Sequence, residues 1–440
     1  MSNLEILDQW KNRKNNYDSL NSQDIRFLST RGDFLNFLLI WILFTSAAPF
    51  TFIFAVPNHP HKILIAGGLA LTSFLLVIKG RIILPNRTMV GILIAQAFFF
   101  VFPLSFLHGE FHQGSYITIS IQYIAILLLY IYVYNFYSIH KMAKSFIYVI
   151  TLMAIMGTAA FFLGIVGAID IVSTHQNLDT RTAYNFLLTF SNSINHVGRA
   201  TIIRIAGFFD EPGTFAYYIT FALLINKIYG FSKKLEWIII IGGIFTLSMA
   251  FYITVSVYLI IFYGNFKRLK YFLLGSIIIA SLGFYVNTAK YDSETNFTLY
   301  RLTIQRFERD ESSSEGLTVG DNRSELFSLA AEAFMDSPLI GQGHRYREDI
   351  SSKYYNIYMG ANLFAPLAIY GIVGTLVSFL GVFYWTYLVF SQSNTVHRNL
   401  LISCWLIMAL NFLQRPHPIG FLNYYVIIFL VDSTKYRLKN

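Results

Sequence analysis

The chain has 440 residues, of which 55% are hydrophobic, 17% aromatic and 13% charged, and its formal net charge is +9. A soluble domain carries about 25% charged residues, so this composition excludes an ordinary soluble protein. Repeated apolar runs of membrane-spanning length, without the alternation of barrel strands, predict an all-α polytopic membrane protein. The single cysteine, Cys404, excludes a disulfide within the chain and is read as a small buried hydrophobe.

The polar segment 1–33 is predicted to be cytoplasmic, with no cleavable signal peptide. Its scattered apolar residues fit either a short amphipathic helix on the inner leaflet or plain disorder. A transmembrane domain, residues 34–432, and a cytoplasmic tail, residues 433–440, follow. The predicted spans lie near residues 34–56, 62–79, 88–107, 117–137, 144–169, 213–230, 271–287, 358–390, 399–414 and 419–432.

A further apolar run, Trp237–Tyr263, has basic residues on both flanks. The positive-inside rule places both flanks in the cytoplasm, so the run crosses twice as two short helices or dips in and returns. Counted as two, it completes about 12 transmembrane helices with both termini cytoplasmic. Two long polar segments, 170–212 and 288–357, are then periplasmic loops. Basic residues concentrate in the cytoplasmic segments and explain the net charge, so no nucleic-acid partner is expected.

The first periplasmic loop ends in arginines and acids beside the membrane. Arg204 stands between two isoleucines, which solvation alone explains poorly, and we interpret it as functional. Arg199 precedes it. Pro212 suits the first turn of the next helix, where Asp210 and Glu211 face the positive helix end. The simpler interpretation is that both acids are capping charges of that helix.

The second loop contains apolar residues at helical spacing between Asp321 and Pro338. Arg323 at the start of this helix suits an anion; the alternative is a surface salt bridge to Glu325 or Glu332. A basic turn follows and contains His344, Arg345 and Arg347. His344 is a candidate base, although a lone loop histidine is more often only solvated. No metal-ligand spacing or dinucleotide fingerprint occurs in the loops, so neither metal nor cofactor is expected.

The segment after this turn predicts a tightly packed helix beside the loops. Asn362 lies at the membrane surface, Pro366 lies within the span, and Gly371 and Gly374 follow at helical spacing. Near the end of the chain, Arg415 stands in a short proline-anchored turn. Such a turn is often structural, but Arg415 faces the same outer vestibule as the loop arginines.

These residues resemble the O-antigen polymerases (Wzy type) of the O-antigen polymerase and ligase superfamily. The layout of spans and loops covers most of the chain, whereas the motifs cover about a quarter of it and are individually loose. The motifs are Arg204-x-x-Gly207-Phe-x-x-Glu211-Pro212, then Asn322-Arg323…Ala333-Phe334…Pro338-x-x-Gly341-x-Gly343, then Asn362…Tyr370-Gly371-x-x-Gly374.

The resemblance implies a glycosyltransferase of the bacterial inner membrane with a periplasmic active site. Its substrates are undecaprenyl-pyrophosphate-linked oligosaccharides in the bilayer, and a chain-length regulator protein is a candidate partner. Loop arginines grip the departing pyrophosphate without metal or nucleotide. By position, Arg204 and Arg323 are carried over as catalytic pyrophosphate contacts, with Glu211 and His344 as further catalytic candidates. Substrate-binding candidates are Arg199, Arg345, Arg347, Asn362 and Arg415.

One departure from the family concerns the residue before Asn362. Related ligases and many polymerases carry a histidine there, and this chain has Ala361. A general base then comes from Glu211, His344, Asp321 or a tyrosine. The missing histidine disfavours the ligase, which remains the first alternative. A secondary transporter or a flippase is the second, although the ionisable groups lie mostly in long loops rather than at the bilayer midplane.

Overall fold

The computed structural model describes residues 82–109, 115–136, 138–176, 182–197, 200–209, 211–264, 323–343, 352–354, 362–415 and 421–439, with Thr288, Phe297, Tyr300 and Tyr346. This part of the chain is mostly helical. Four of its helices are long and apolar enough to cross a membrane, and a bent pair raises the number to five. These helices agree with a polytopic membrane protein, whereas the total of about 12 spans stays a prediction. The segment 1–33 and the predicted spans 34–56, 62–79 and 271–287 lie outside the described residues.

The helices in the described residues follow the predicted spans closely. In chain order they are α1 Arg87–Phe99, α2 Ser115–Phe136, α3 Ile139–Ile165, α4 Pro212–Tyr229, α5 Lys233–Ile244, α6 Met249–Tyr263, α7 Arg323–Asp336, α8 Ala365–Ser378, α9 Leu380–Phe390, α10 Thr395–Gln414 and α11 Phe421–Lys439. A π-helical turn, Phe100–Leu104, and a last turn, Ser105–Leu107, extend α1. The wide turn contains Pro103, which has no N–H to donate to the preceding turn.

The first predicted periplasmic loop contains short strands, so the expectation of an all-α fold is incomplete. They are β1 Ser173–Gln176, β2 Thr182–Asn185, β3 Phe190–Ser191, β4 Ile194–Val197 and β5 Ala200–Ile203. The first three form an antiparallel sheet in chain order, and β4 pairs with β5 so that Ile194 lies opposite Ile203. Strands this short carry too few residues for an alternating pattern to stand out in the sequence.

Helices α5 and α6 form a hairpin. Oε1 of Glu236, near the start of α5, accepts hydrogen bonds from the hydroxyls of Tyr258 and Tyr263 in α6 at 2.5 and 2.8 Å. Lys227 of α4 donates to the same oxygen at 3.2 Å. At 1.5 Å per residue the two helices are about 18 and about 22 Å long, shorter than the roughly 30 Å hydrocarbon core. The apolar run therefore enters and returns at one end of the bundle, which agrees with the prediction from its basic flanks.

Helix ends meet in two groups that define the ends of the bundle. At the glutamate end, which contains Glu236, the hydroxyl of Tyr229 in α4 donates to Asp432 in α11 at 2.7 Å. At the opposite arginine end, which contains Arg204, Gly164 near the end of α3 lies directly against β5. Which end faces the cytoplasm stays a prediction from the charge distribution.

A loop, Pro338–Gly343, fills a break in α8 at Gly371, where φ is +64° and ψ is −174°. The break leaves two carbonyls and two N–H groups of α8 without their helical partners. Two N–H groups and two carbonyls of the loop take the places of those partners. The resulting bonds are Gln342 N–H to Ala368 O (2.8 Å), Gly343 N–H to Ile369 O (3.0 Å), Ile372 N–H to Pro338 O (2.9 Å) and Val373 N–H to Leu339 O (3.2 Å). Helix α8 then bends by 43° into α9, so the predicted span 358–390 is not a single straight helix, and the bent pair has the shape of a broken span or a re-entrant loop.

We expect Gly371→Ala to lower the thermal stability of the protein. The backbone conformation at Gly371 is nearly restricted to glycine and costs another residue roughly 1–3 kcal/mol. A Cβ there would also collide with the carbonyl of Leu339. Gly91→Ala is the matched control, because a Cβ on Gly91 meets no atom of the described residues within 4 Å. Equal unfolding midpoints in detergent for wild type and Gly371→Ala would contradict this packing.

Candidate functional site

The segment of the first loop that carries Arg204 is mostly apolar and runs along α3 towards the hairpin. Gly164 of α3 lies against Ile203, and Gly157 lies against Ile205, so the two glycines make room for the segment. Gly157 is roughly 12 Å along the helix from its last residue, Ile165. Irregular backbone at this depth is tolerated only when it is buried in protein or lines a cavity. The segment therefore brings polar groups well inside the helical bundle.

Arg204 lies on this segment and binds the tip of the hairpin. Its Nε donates to the carbonyl of Thr246 at 3.3 Å, and its Nη2 donates to the carbonyl of Leu247 at 3.0 Å. The next residue, Ile205, donates its N–H to the carbonyl of Phe245 at 3.3 Å. Carbonyls just past the end of a helix have no helical partner and carry partial negative charge. Arg204 satisfies two such carbonyls, a structural role that the sequence did not indicate.

The hairpin tip has the geometry that exposes these carbonyls. Helix α5 ends at Ile244, and the hydroxyl of Thr246 donates back to the carbonyl of Gly243 at 2.7 Å. Leu247 has a φ of +49°, which turns the chain sharply before α6 begins at Met249. The tip thus presents its main-chain oxygens to the segment that carries Arg204.

A second arginine lies at the start of α4. Arg415, just past the end of α10, forms an ion pair with Glu211, and the side chains are 17% and 13% exposed. The guanidinium lies over Gly213, where a Cβ would be only 3.1 Å from Nη2. Pro212 occupies the first turn as predicted, but Glu211 makes no side-chain cap bond to the helix. Glu211 is nevertheless the N-cap residue, and its Oε1 accepts a hydrogen bond from the hydroxyl of Thr214 at 3.4 Å. The reading of Glu211 as a capping charge therefore stays a prediction, while its carboxylate pairs with Arg415 at the positive end of α4.

Asn362 connects α7 to α8. Its Oδ1 accepts hydrogen bonds from the N–H groups of Phe364 and Ala365 at 2.9 and 3.0 Å, which caps the start of α8. Its Nδ2 donates to the carbonyl of Leu326 in α7 at 3.2 Å. Asn362 is 8% exposed. These contacts assign Asn362 a positioning role, and its predicted role in substrate binding stays untested.

The remaining predicted site residues fall partly or wholly outside the described part of the chain. Arg323 begins α7 as predicted, but its side chain lies outside it. The residues wholly outside it are Arg199, Asp210, Asp321, His344, Arg345 and Arg347. Among the predicted site residues with described side chains, the structure brings together Glu211 and Arg415 directly. Arg204 lies on the same stretch of the first loop as Glu211.

A cluster of polar contacts, with exposed charges and a buried tyrosine, holds residues 352–354 on α7. The ammonium of Lys353 lies 2.7 Å from Glu332, one of the two predicted partners of Arg323. The hydroxyl of Tyr354 donates to Asp336 at 2.5 Å, and this hydrogen bond lowers the pKa of Asp336. Burial, followed by the same contact, raises the pKa of Tyr354 to about 12. Exposed ion pairs stabilise little, so Tyr354, which is 2% exposed, is the stronger anchor.

Sequence reasoning missed His108, which follows the last turn of the first described span. Its Nε2 lies 2.8 Å from the carbonyl of Ile340, and its Nδ1 lies 2.7 Å from the hydroxyl of Tyr116. The two rings are stacked with centroids 5.7 Å apart. Because Ile340 belongs to the loop in the α8 break, His108 binds the element that precedes the predicted basic turn. His108 and Ile340 are 232 residues apart in the chain. No local sequence pattern therefore indicates their contact.

No group of three or more His, Cys, Asp or Glu residues lies together within the described ranges. At the arginine end the guanidiniums of Arg204 and Arg415 suit an anionic ligand, and their described partners are the carbonyls of the hairpin tip and the carboxylate of Glu211. Comparisons with family models, with curated proteins and with solved structures find no match for this chain.

Proposed function

We propose that this chain is a metal-independent glycosyltransferase that polymerises undecaprenyl-pyrophosphate-linked oligosaccharide repeat units at the periplasmic face of a bacterial inner membrane. The observation that supports it most is the pair of ionisable side chains, Arg204 and Glu211, on a mostly apolar, buried segment of the first loop. This segment lies among apolar helices, with Arg204 bound at the hairpin tip and Glu211 paired to Arg415. Ionisable groups inside a membrane protein are costly and usually mark a ligand path.

In the proposed reaction, a hydroxyl of one lipid-linked unit attacks the anomeric carbon of the growing chain. The bond from that carbon to the diphosphate oxygen breaks, and its electron pair stays on the diphosphate. The hydroxyl proton goes to a carboxylate, for which Glu211 is the candidate with a described position. Negative charge grows on the leaving diphosphate, and fixed guanidiniums stabilise that charge.

Arg204 and Arg415 differ in the partners that a ligand would have to displace. The described bonds of Arg204 go to main-chain carbonyls of the hairpin tip, which are fixed by the fold. Arg415 is paired with a carboxylate side chain, which can turn away when a diphosphate competes for the guanidinium. We therefore assign Arg415 the direct contact, and Arg204 the supporting positive charge that also holds the hairpin. Arg323 is the third proposed contact.

We expect Arg323→Ala to abolish long-chain product while the protein accumulates normally. The first turn of α7 would lose the guanidinium that binds the leaving group, and losing one such donor costs roughly 10²–10³ in rate. Glycan ladders from cells that carry the variant are the measurement. Lys353→Ala serves as control, because that exposed lysine pairs only on the surface of α7 within the described residues. A normal ladder from Arg323→Ala would remove this residue from the proposed mechanism.

Deletion of the gene separates the proposed polymerase from its alternatives. Loss of a polymerase leaves single repeat units on the final acceptor. Loss of a ligase leaves long glycan on the undecaprenyl carrier, and loss of a flippase leaves single units on the cytoplasmic leaflet. We expect single repeat units, and carrier-bound long glycan would instead assign the chain to the ligase reaction.

A further inference from the structure

The loop Pro338–Gly343 is held from two sides. On one side its backbone replaces the hydrogen bonds lost at the break of α8, and Gly341 packs against Gly371 without space for a Cβ on either. On the other side His108 binds the carbonyl of Ile340 at 2.8 Å. The loop also carries Gln342, whose side chain donates to the carbonyl of Ala333 in α7 at 2.7 Å. Three elements, α1, α7 and α8, thus converge on one short loop.

The partners of His108 settle the proton positions on its ring. A carbonyl can only accept, so Nε2 carries the hydrogen that Ile340 receives. Nδ1 is then the acceptor, and the hydroxyl of Tyr116 donates to it at 2.7 Å. Burial lowers the pKa of His108, which agrees with a neutral ring. Tyr116 is fully buried, so the ring that sets this tautomer has no freedom to move away.

We infer that His108 is a positioning residue for the proposed transfer: with Tyr116 it fixes the Pro338–Gly343 loop in the break of α8. The loop leads directly into the basic turn that the sequence predicts to bind the diphosphate. Within that turn the chain is anchored again at Tyr346, which packs with Ala333 and Ala368 between α7 and α8. His108 touches neither substrate nor reacting atoms in this account. Only the expected effect of His108 on substrate affinity rests on the proposed function.

Hydrogen exchange tests the structural part without any activity. We expect His108→Phe, which keeps an aromatic ring beside Tyr116 but removes the donor, to speed exchange of the Gln342 and Gly343 amides by about 10-fold. His108→Gln extends an amide donor about as far as Nε2 and should restore protection. His108→Asn carries the same amide on a shorter side chain and should not. Unchanged exchange in His108→Phe, or equal protection in the Gln and Asn variants, would overturn the inference.

Kinetics with a lipid-linked repeat unit test the functional part. A misplaced loop weakens diphosphate binding, so we expect KM to rise about 10-fold in His108→Phe and to recover in His108→Gln. A merely structural loss would lower kcat through fewer active molecules and leave KM unchanged, which would contradict the positioning role. If wild type makes no polymer while the exchange pattern holds, the proposed function fails and the loop anchor stands. Tyr116→Phe removes the hydroxyl that donates to Nδ1, so the imidazole hydrogen is no longer held on Nε2. We expect this variant to raise the amide exchange rates and KM less than His108→Phe does.

Discussion

Arg204→Ala is expected to abolish long-chain glycan and to lower the thermal unfolding midpoint, without changing how much protein reaches the membrane. The side chain donates two charge-assisted hydrogen bonds to the carbonyls of Thr246 and Leu247. Each such bond contributes about 1.5–3 kcal/mol, and the carbonyls would be left without this donor. Loss of a positive charge near the leaving group adds a rate reduction of roughly 10²–10³. Glycan ladders and thermal unfolding of the purified variant measure the two effects separately.

Arg204→Lys separates geometry from charge. A lysine keeps the positive charge but lacks the fork that reaches two carbonyls at once. We therefore expect partial thermal stability and little polymer. Arg398→Ala is the control, because this exposed arginine lies at the glutamate end of α10. Wild-type ladders from both Arg204 variants would show that the arginine has no part in the reaction.

Arg415→Ala is expected to stop polymer formation nearly completely. Its guanidinium lies at the positive end of α4, paired with Glu211, in the place proposed for the diphosphate. Removing one partner of a mostly buried ion pair leaves an uncompensated charge and costs several kcal/mol when burial is complete. Since both side chains keep some exposure, we expect about 1–3 kcal/mol here. Chemical denaturation and polymer yield are the measurements.

The exchanged pair Glu211→Arg with Arg415→Glu tests whether the two residues do more than hold the fold. The exchange restores an ion pair, so stability should recover above that of either single variant. The acid and the guanidinium are then in each other's places, and polymer formation should stay absent. Glu211→Gln alone keeps the shape and removes the proposed proton acceptor. Full activity in the exchanged variant would reduce the pair to a structural contact.

The hairpin and the spans follow from short-range physics and were predictable. Apolar length and the basic flanks on both sides of Trp237–Tyr263 place the ends of α5 and α6 together, as their contacts with Glu236 show. Pro212 at the first turn of α4 follows from its missing N–H. Helix α7 was predicted from its apolar spacing and begins at Arg323. Each of these features depends on residues that are near one another in sequence.

The partners of the site residues could not be predicted, because they are distant in sequence and mostly main-chain atoms. Nothing in the residues around Arg204 points to the carbonyls of Thr246 and Leu247. Gly371 suggested close packing of its helix, but only the fold shows that it packs against Gly341. The contact of His108 with Ile340 is hidden for the same reason. Every residue has a main-chain carbonyl, so the sequence does not indicate which carbonyl accepts a given hydrogen bond.

Polymerisation by the purified protein tests the central claim most directly. The protein in detergent or liposomes would receive an undecaprenyl-pyrophosphate-linked repeat unit in buffer with a metal chelator. The account predicts a ladder of longer glycans and stoichiometric release of undecaprenyl pyrophosphate, both lost in Arg415→Ala. Absence of ladder and release with well-folded wild-type protein, or an undiminished ladder from Arg415→Ala, would contradict it.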